Sequence, residues 1–150
     1  MPDRMNFEKW EPLLAVPLLR EFEGFEPNAY LCPAGVWTIG YGHTGGVRKG
    51  EHISLADAEK LLSADLERIR AKVAPIFKRP VTRYQFIALM SFIYNVGVNA
   101  FKASTLLLLM NANRDDEAVK QFSRWRFANG KELPGLVKRR AREAEVFQYR

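Results

Sequence analysis

The chain has 150 residues, 47% of them hydrophobic, and its 23 Lys and Arg outnumber 17 Asp and Glu for a formal net charge of +6. That length can bury a sizeable core within one chain-wide domain, and no apolar run approaches the ~20 residues that a helical bilayer crossing needs. A single cysteine excludes an internal disulfide and a cysteine-built zinc site, as fits synthesis in a reducing compartment.

The charge is one-sided. Residues 1–80 hold eleven basic and eleven acidic side chains, whereas residues 81–150 hold twelve against six. A basic second half implies an anionic partner, with nucleic acid and the acidic bacterial wall both candidates. The plainer alternative is that Lys138, Arg139, Arg140 and Arg142 solvate one face of the last helix.

From the start of the chain, acidic residues and prolines stand where a secretory signal would carry a basic segment and a clean apolar stretch, so no signal is expected. Residues 1–12, with Phe7 and Trp10, are expected to form a short extension on the body. Val16, Leu19 and Glu23 then share a helical stripe flanked by Leu18 and Phe22, which places a carboxyl on an apolar face. Desolvation there favours the protonated form that a general acid needs; the alternative is an ordinary helix-end glutamate reaching water. Gly24 supplies the helix stop, and Pro27 prevents the helix resuming.

Between Tyr30 and His43 the chain turns glycine-rich and β-favouring, which predicts a twisted hairpin or a three-stranded sheet. Alternation puts Trp37, Ile39, Tyr41 and His43 on one face and Val36, Thr38, Gly40 and Gly42 on the other. The second face is nearly bare around Thr38, leaving room for a ligand. No second histidine accompanies His43 at ligand spacing, so a structural role is expected for it.

Ser54 and Asp57 make a helix cap, and Ala58, Leu62, Leu66, Ile69 and Val73 repeat at helical spacing, predicting about twenty residues of helix ending before Pro75. Thr82 and Gln85 make a capping pair for the next helix, striped by Phe86, Leu89, Met90 and Ile93 and ended by Gly97. Residues 104–110 are apolar all round, as a central bundle helix would be. Asp115 and Asp116 favour a helix start, with the helix running to about Phe127 and broken at Asn129-Gly130. Pro134 opens the last helix, whose Leu136, Val137, Arg140, Ala144 and Phe147 line one partly apolar face.

Glu23, eight residues, Cys32, five residues and Thr38 together resemble the catalytic pattern of the phage-type lysozymes, the endolysins of glycoside hydrolase family 24. EGF, WTIGYGHT, SFIYNVG, FKASTLL and GLVKRRAREAEVF resemble that family's segments in the same order, over roughly residues 13–149. The departure is Cys32, where well-studied members carry aspartate and cysteine is an accepted variant. The resemblance implies an α+β, predominantly α-helical fold: a small N-terminal lobe with a short β-sheet (about 13–60), a long helix (about 54–74), and a helical C-terminal lobe (about 75–149).

By the same resemblance the chain is a muramidase that hydrolyses the β-1,4 bond between N-acetylmuramic acid and N-acetylglucosamine in peptidoglycan. Glu23 fits the proton donor for the leaving oxygen. Thr38 fits a water-holding role, and Cys32 fits either a thiolate base or nucleophile or a group that only positions the water, since a free thiol near pKa 8.5 is ~97% protonated at neutral pH. Tyr30, Tyr41, Phe101 and Ser104 are candidates for lining the sugar groove. No cofactor or metal is called for, and the expected partner is peptidoglycan, without nucleic acid or stable membrane insertion, for a monomer. Synthesis in the host cytoplasm and release to the wall by a separate membrane-permeabilising protein complete that expectation. Two other readings stay open in the residues alone: a silent wall-binding homologue that lost turnover at position 32, and a basic nucleic-acid binder.

Overall fold

The computed structural model describes residues 3–150. Its organising element is the helix α2 (Leu55–Val73), preceded by α1 (Val16–Arg20) and a hairpin of β2 (Glu26–Leu31) with β3 (Trp37–Gly40). Before these lies β1 (Arg4–Met5), and after α2 come β4 (Val81–Thr82), α3 (Arg83–Val96), α4 (Val98–Lys102), α5 (Thr105–Asn111), α6 (Asp115–Ala118), a hairpin of β5 (Phe127–Ala128) with β6 (Lys131–Glu132), and α7 (Pro134–Phe147). The fold is thus mostly helical with small antiparallel sheets, as expected.

Local chemistry accounts for the boundaries. The Ser54 hydroxyl accepts the Asp57 N–H at 3.1 Å and opens α2, whose buried stripe is Ala58, Leu62, Asp65, Leu66, Ile69 and Val73. Thr82 and Gln85 satisfy each other's backbone N–H groups at 3.0 and 2.9 Å in a reciprocal capping box. Gly97 ends α3 at φ 94°, a conformation that glycine adopts without steric cost. The core gathers Leu18 and Leu19 of α1, the α2 stripe, Phe86 to Ile93 of α3, Phe101, Phe122 and Phe147.

Four expectations are corrected. The extension is part of the core: β1 pairs with β4, Phe7 is 1% exposed and stacks on Phe77 at 4.3 Å, and Trp10 Nε1 donates to Val81 O at 3.0 Å. Met1 and Pro2 of that extension lie outside the described residues. α5 is one-sided, because Leu106, Leu107 and Met110 face inward while Leu108 is 69% exposed. The helix begun at Asp115 lasts four residues and tightens into a 3-10 turn over Val119–Arg124. Asn129-Gly130 then forms the tip of the β5–β6 hairpin, with φ of 52° and 77°, the doubly positive pair that a tight antiparallel turn selects.

Two further differences concern the hairpin and the last helix. The face of β3 carrying Thr38 is closed: Thr38 is 3% exposed, and a Cβ placed on Gly40 would lie 3.2 Å from Ala58 Cβ, so the bare glycine surface receives α2 in place of a ligand. On α7 the basic run is divided, with Arg139 and Arg140 buried while Arg142 stays at the surface in an ion pair with Glu21 at 3.0 Å.

Candidate active site

Glu23 lies just beyond α1, where its N–H still donates to Leu19 O at 2.8 Å and carries the helical register past the last assigned residue. Its side chain, about a fifth exposed, meets a partner that the flanking sequence does not reveal: Arg139 Nη1 donates to Glu23 Oε1 at 2.7 Å. Arg139 is in turn fixed from behind. Its Nε donates to Glu143 Oε2 at 3.2 Å, its Nη2 donates to Ser91 O at 3.0 Å, and its guanidinium lies 5.2 Å from the Phe22 ring centre.

Glu143 has no exposed surface and serves two adjacent cations about one helical turn before it, with Arg140 Nε 3.0 Å from Oε1 and the Ser91 hydroxyl donating to Oε2 at 2.6 Å. Burial acts against both charges, pushing the Glu143 carboxyl up and drawing Arg140 down to about 10, while their mutual attraction opposes each shift. The consequence for Glu23 is geometric: the cation that grips it is seated on a helix and cannot swing away without uncovering Glu143.

Across the hairpin, Cys32 follows β2 in a turn closed by Cys32 N–H to Val36 O at 3.0 Å and Gly35 N–H to Cys32 O at 2.8 Å. The Val36 amide is the largest influence on the thiol, helped by the Ala34 amide and the Thr38 side chain, and together they hold its pKa below that of an ordinary thiol. Thr38 pairs in register with Tyr30 and donates its hydroxyl to Val36 O at 3.0 Å. Tyr30, 40% exposed, has its phenol pushed up first by burial and then by the charges of Glu23, Glu26 and Cys32, so one ring senses both the candidate acid and the candidate thiol.

The other groove candidates fall elsewhere. Phe101 is fully buried between Phe77 and Phe92, because α4 turns it inward, and it offers no surface to a sugar. Ser104 is a cap: it donates to Phe101 O at 2.7 Å and accepts the Leu107 N–H at 3.1 Å. Tyr41 is nearly buried beside Phe25, and its carbonyl accepts the Tyr94 hydroxyl. Burial, then Glu23 and Asp65, push the Tyr94 phenol up, which keeps it a hydrogen-bond donor.

A cavity of about 700 Å³ opens beside this group, lined by Gly42, Thr44 and Tyr94 and by one face of α2. Gly42 stands between cavity and carboxyl, for a Cβ there would lie 3.4 Å from Glu23 Oε2 and 3.5 Å from Tyr94 Oη. His43 is structural as expected: Nδ1 lies 2.8 Å from Asp65 Oδ2 and Nε2 lies 2.9 Å from Gly45 O, tying the hairpin to α2. Among the described residues no cluster of three His, Cys, Asp or Glu side chains suits a metal.

Sequence reasoning missed Arg139, Ser91, Glu143 and Tyr94. The one local signal for the buried group was Glu143 four residues after Arg139 and three after Arg140, the spacing at which helical side chains meet.

The phage lysozyme family model matches residues 20–143. An endolysin of Acyrthosiphon pisum secondary endosymbiont phage 1 is 39% identical over 135 residues, which are 87% of this chain and 92% of that one. A SAR-endolysin of Enterobacteria phage PA-2 is 37% identical over 125 residues, covering 83% of this chain and 76% of that one. Among solved structures, the muramidase domain of SpmX from Asticaccaulis excentricus superposes with a TM-score of 0.83 at 38% identity, covering 91% of this chain and 95% of that one. The ordered segments, the fold around α2 and these likenesses together show that the chain belongs to the phage lysozyme family, whose members are lysozyme-like hydrolases of peptidoglycan.

Proposed function

We propose that this chain cleaves the β-1,4 bond between N-acetylmuramic acid and N-acetylglucosamine in peptidoglycan, as an endolysin that lyses its host. The observation that carries the reading is a carboxyl gripped by a buried cation, Glu23 with Arg139 at 2.7 Å, and facing Gly42, a residue of the cavity wall. Glycoside hydrolysis needs an acid to protonate the leaving oxygen and, opposite it, a group that assists water or meets the developing cation. Glu23 takes the first role. Cys32, with its pKa lowered by the Val36 and Ala34 amides, takes the second, Thr38 acts from behind through its side-chain hydrogen bond to the thiol, and the exposed ring of Tyr30 offers a face for a sugar.

The protein acts as a monomer. It is made in the host cytoplasm and reaches the wall after a separate protein permeabilises the membrane. Likeness to a SAR-endolysin supports a periplasmic site of action, and among the described residues no helix is long and apolar enough to cross a membrane.

The test is to digest purified peptidoglycan, reduce the new ends with borohydride and identify the reduced sugar. The reading requires muramic acid at the new reducing end. Glucosamine ends, or free peptides with intact glycan, would assign another bond, and wall binding without products would leave a silent homologue.

A further inference from the structure

Glu23 meets Arg139 at 2.7 Å, and a cation at that distance favours the charged form of a carboxyl, the opposite of what a proton donor needs. A second carboxyl stands behind that cation. Glu143 receives Arg139 Nε at 3.2 Å and the Ser91 hydroxyl at 2.6 Å, with Arg140 Nε 3.0 Å away. Among the described residues every polar group that meets Glu143 is a donor, so the geometry seats a carboxylate although burial pushes it up. One guanidinium thus holds Glu23 at Nη1 and Glu143 at Nε. Arg140 is the less satisfied cation: its Nη2 donates to Asn95, but its Nε and Nη1 and Glu143 Oε1 have no aligned hydrogen-bond partner among the described residues.

Resting on the hydrolase reading above, we propose that Glu143 is a positioning residue that, through Arg139, keeps the proton on Glu23 until the leaving oxygen takes it. With Glu23 protonated, the two cations Arg139 and Arg140 face the single carboxylate of Glu143, and one positive charge is left over. Without Glu143 both charges would be left over, and Glu23, as their only counter-charge, would be drawn into the carboxylate form. Arg140 acts in the opposite sense, because it engages charge on Glu143 that would otherwise answer Arg139. The other groups around Glu23 do not replace this balance. The phenols of Tyr94 on α3 and Tyr30 on β2 are both pushed up and stay uncharged, and Glu26 and Cys32 act on the Tyr30 ring from the hairpin. Asp65 and Arg68 of α2, which act on Tyr94, pair with each other at 2.8 Å, and Glu21 pairs with Arg142 at 3.0 Å.

The experiment follows the isotope-labelled Glu23 carboxyl by NMR against pH in the parent, in Glu143→Gln and in Arg140→Met, with Glu23→Gln to assign the signal. Glu143→Gln keeps the shape of the side chain but removes its charge, so the Glu23 titration should move to lower pH by about one unit. Arg140→Met keeps an apolar contact with Phe92 and leaves Glu143 to Arg139, so the titration should move to higher pH. A purely structural role would loosen the site in both variants and move both the same way. On purified peptidoglycan, Glu143→Gln should lower kcat about three- to tenfold on the alkaline side with KM within about twofold of the parent. The ratio of variant to parent kcat should climb towards one as pH falls, since the ratio cancels any titration the two share. Titrations that stay with the parent, move together or exchange signs, or a kcat ratio flat in pH, would each overturn the proposal. If Glu143→Gln does not fold, Arg140→Met alone decides, by an upward shift or its absence. Shifted titrations in a protein that releases no reducing ends would sustain the link between Glu143 and Glu23 and refute the hydrolase reading, so the two fail separately.

Discussion

Replacing Arg139 with Met removes a cation that is 5% exposed while keeping much of the volume of its stem, so any cost is mainly electrostatic. Glu143, with no exposed surface, would keep Arg140 at 3.0 Å and the Ser91 hydroxyl at 2.6 Å but lose Arg139 Nε at 3.2 Å. Breaking a buried ion pair from one side costs about 3–5 kcal/mol, which is a large share of the ~5–15 kcal/mol that holds a domain folded. At this chain length each kcal/mol moves Tm by about 2–4 °C, so thermal unfolding should drop by roughly 6–20 °C. The control is Arg142→Met, whose ion pair with Glu21 lies at the surface and is worth about 1 kcal/mol or less. Activity, measured below both transitions, should fall about 100-fold in Arg139→Met through kcat, because a misplacement of the acid by ~1 Å costs that much. An Arg139→Met variant as stable as Arg142→Met would refute the view that two cations stabilise Glu143. Parent-like kcat would refute the view that Arg139 orients Glu23.

Phe7→Ala should cost about 3–5 kcal/mol in denaturant unfolding, since a fully buried ring stacked on Phe77 is lost, and a change under 1 kcal/mol would return Phe7 to a short extension lying on the body. Gly42→Ala forces a side chain to φ 93° and towards Glu23 Oε2, so turnover should fall by more than the ~1 kcal/mol backbone strain predicts for stability; equal effects would place Gly42 outside the site. The lowered pKa of Cys32 means the thiolate fills at lower pH, so alkylation by a neutral reagent should rise with a midpoint below that of free cysteine measured alongside. If that thiolate acts in turnover, Cys32→Ser should lose most activity and Cys32→Asp retain it with its pH limb well below 6, whereas a parent-like Cys32→Ala would contradict the role.

What the sequence made legible were features whose cause is local. The Ser54 cap and the five-residue apolar stripe of α2, the Thr82–Gln85 box and Gly97 all depend on residues within a turn or two, and each appears where expected. The misses share a different cause. Thr38 was read as open because nothing near it is bulky, yet Thr38 is 3% exposed and Ala58 of α2 packs against Gly40 two residues on. Phe7 is held by Phe77 and Phe86, some seventy residues on, and a two-residue strand leaves no periodicity to read. Phe101 sits on a five-residue helix too short to show which face is inward. Arg139 and Arg140 read as solvating charge because burial of a guanidinium depends on what another helix supplies, here Ser91 from α3. For the candidate site, the Glu23, Cys32 and Thr38 spacing was visible in the chain, but the grip on Glu23 came from residue 139 and could be seen only after folding.

The most direct test of the account is Glu23→Gln, assayed by release of reducing ends from purified peptidoglycan alongside circular dichroism and thermal unfolding. An amide keeps the shape of the side chain and can still accept from Arg139, but it cannot deliver the proton that the leaving oxygen requires. The predicted result is loss of hydrolysis with the fold intact. Turnover within about tenfold of the parent would contradict the assignment of Glu23 as the acid.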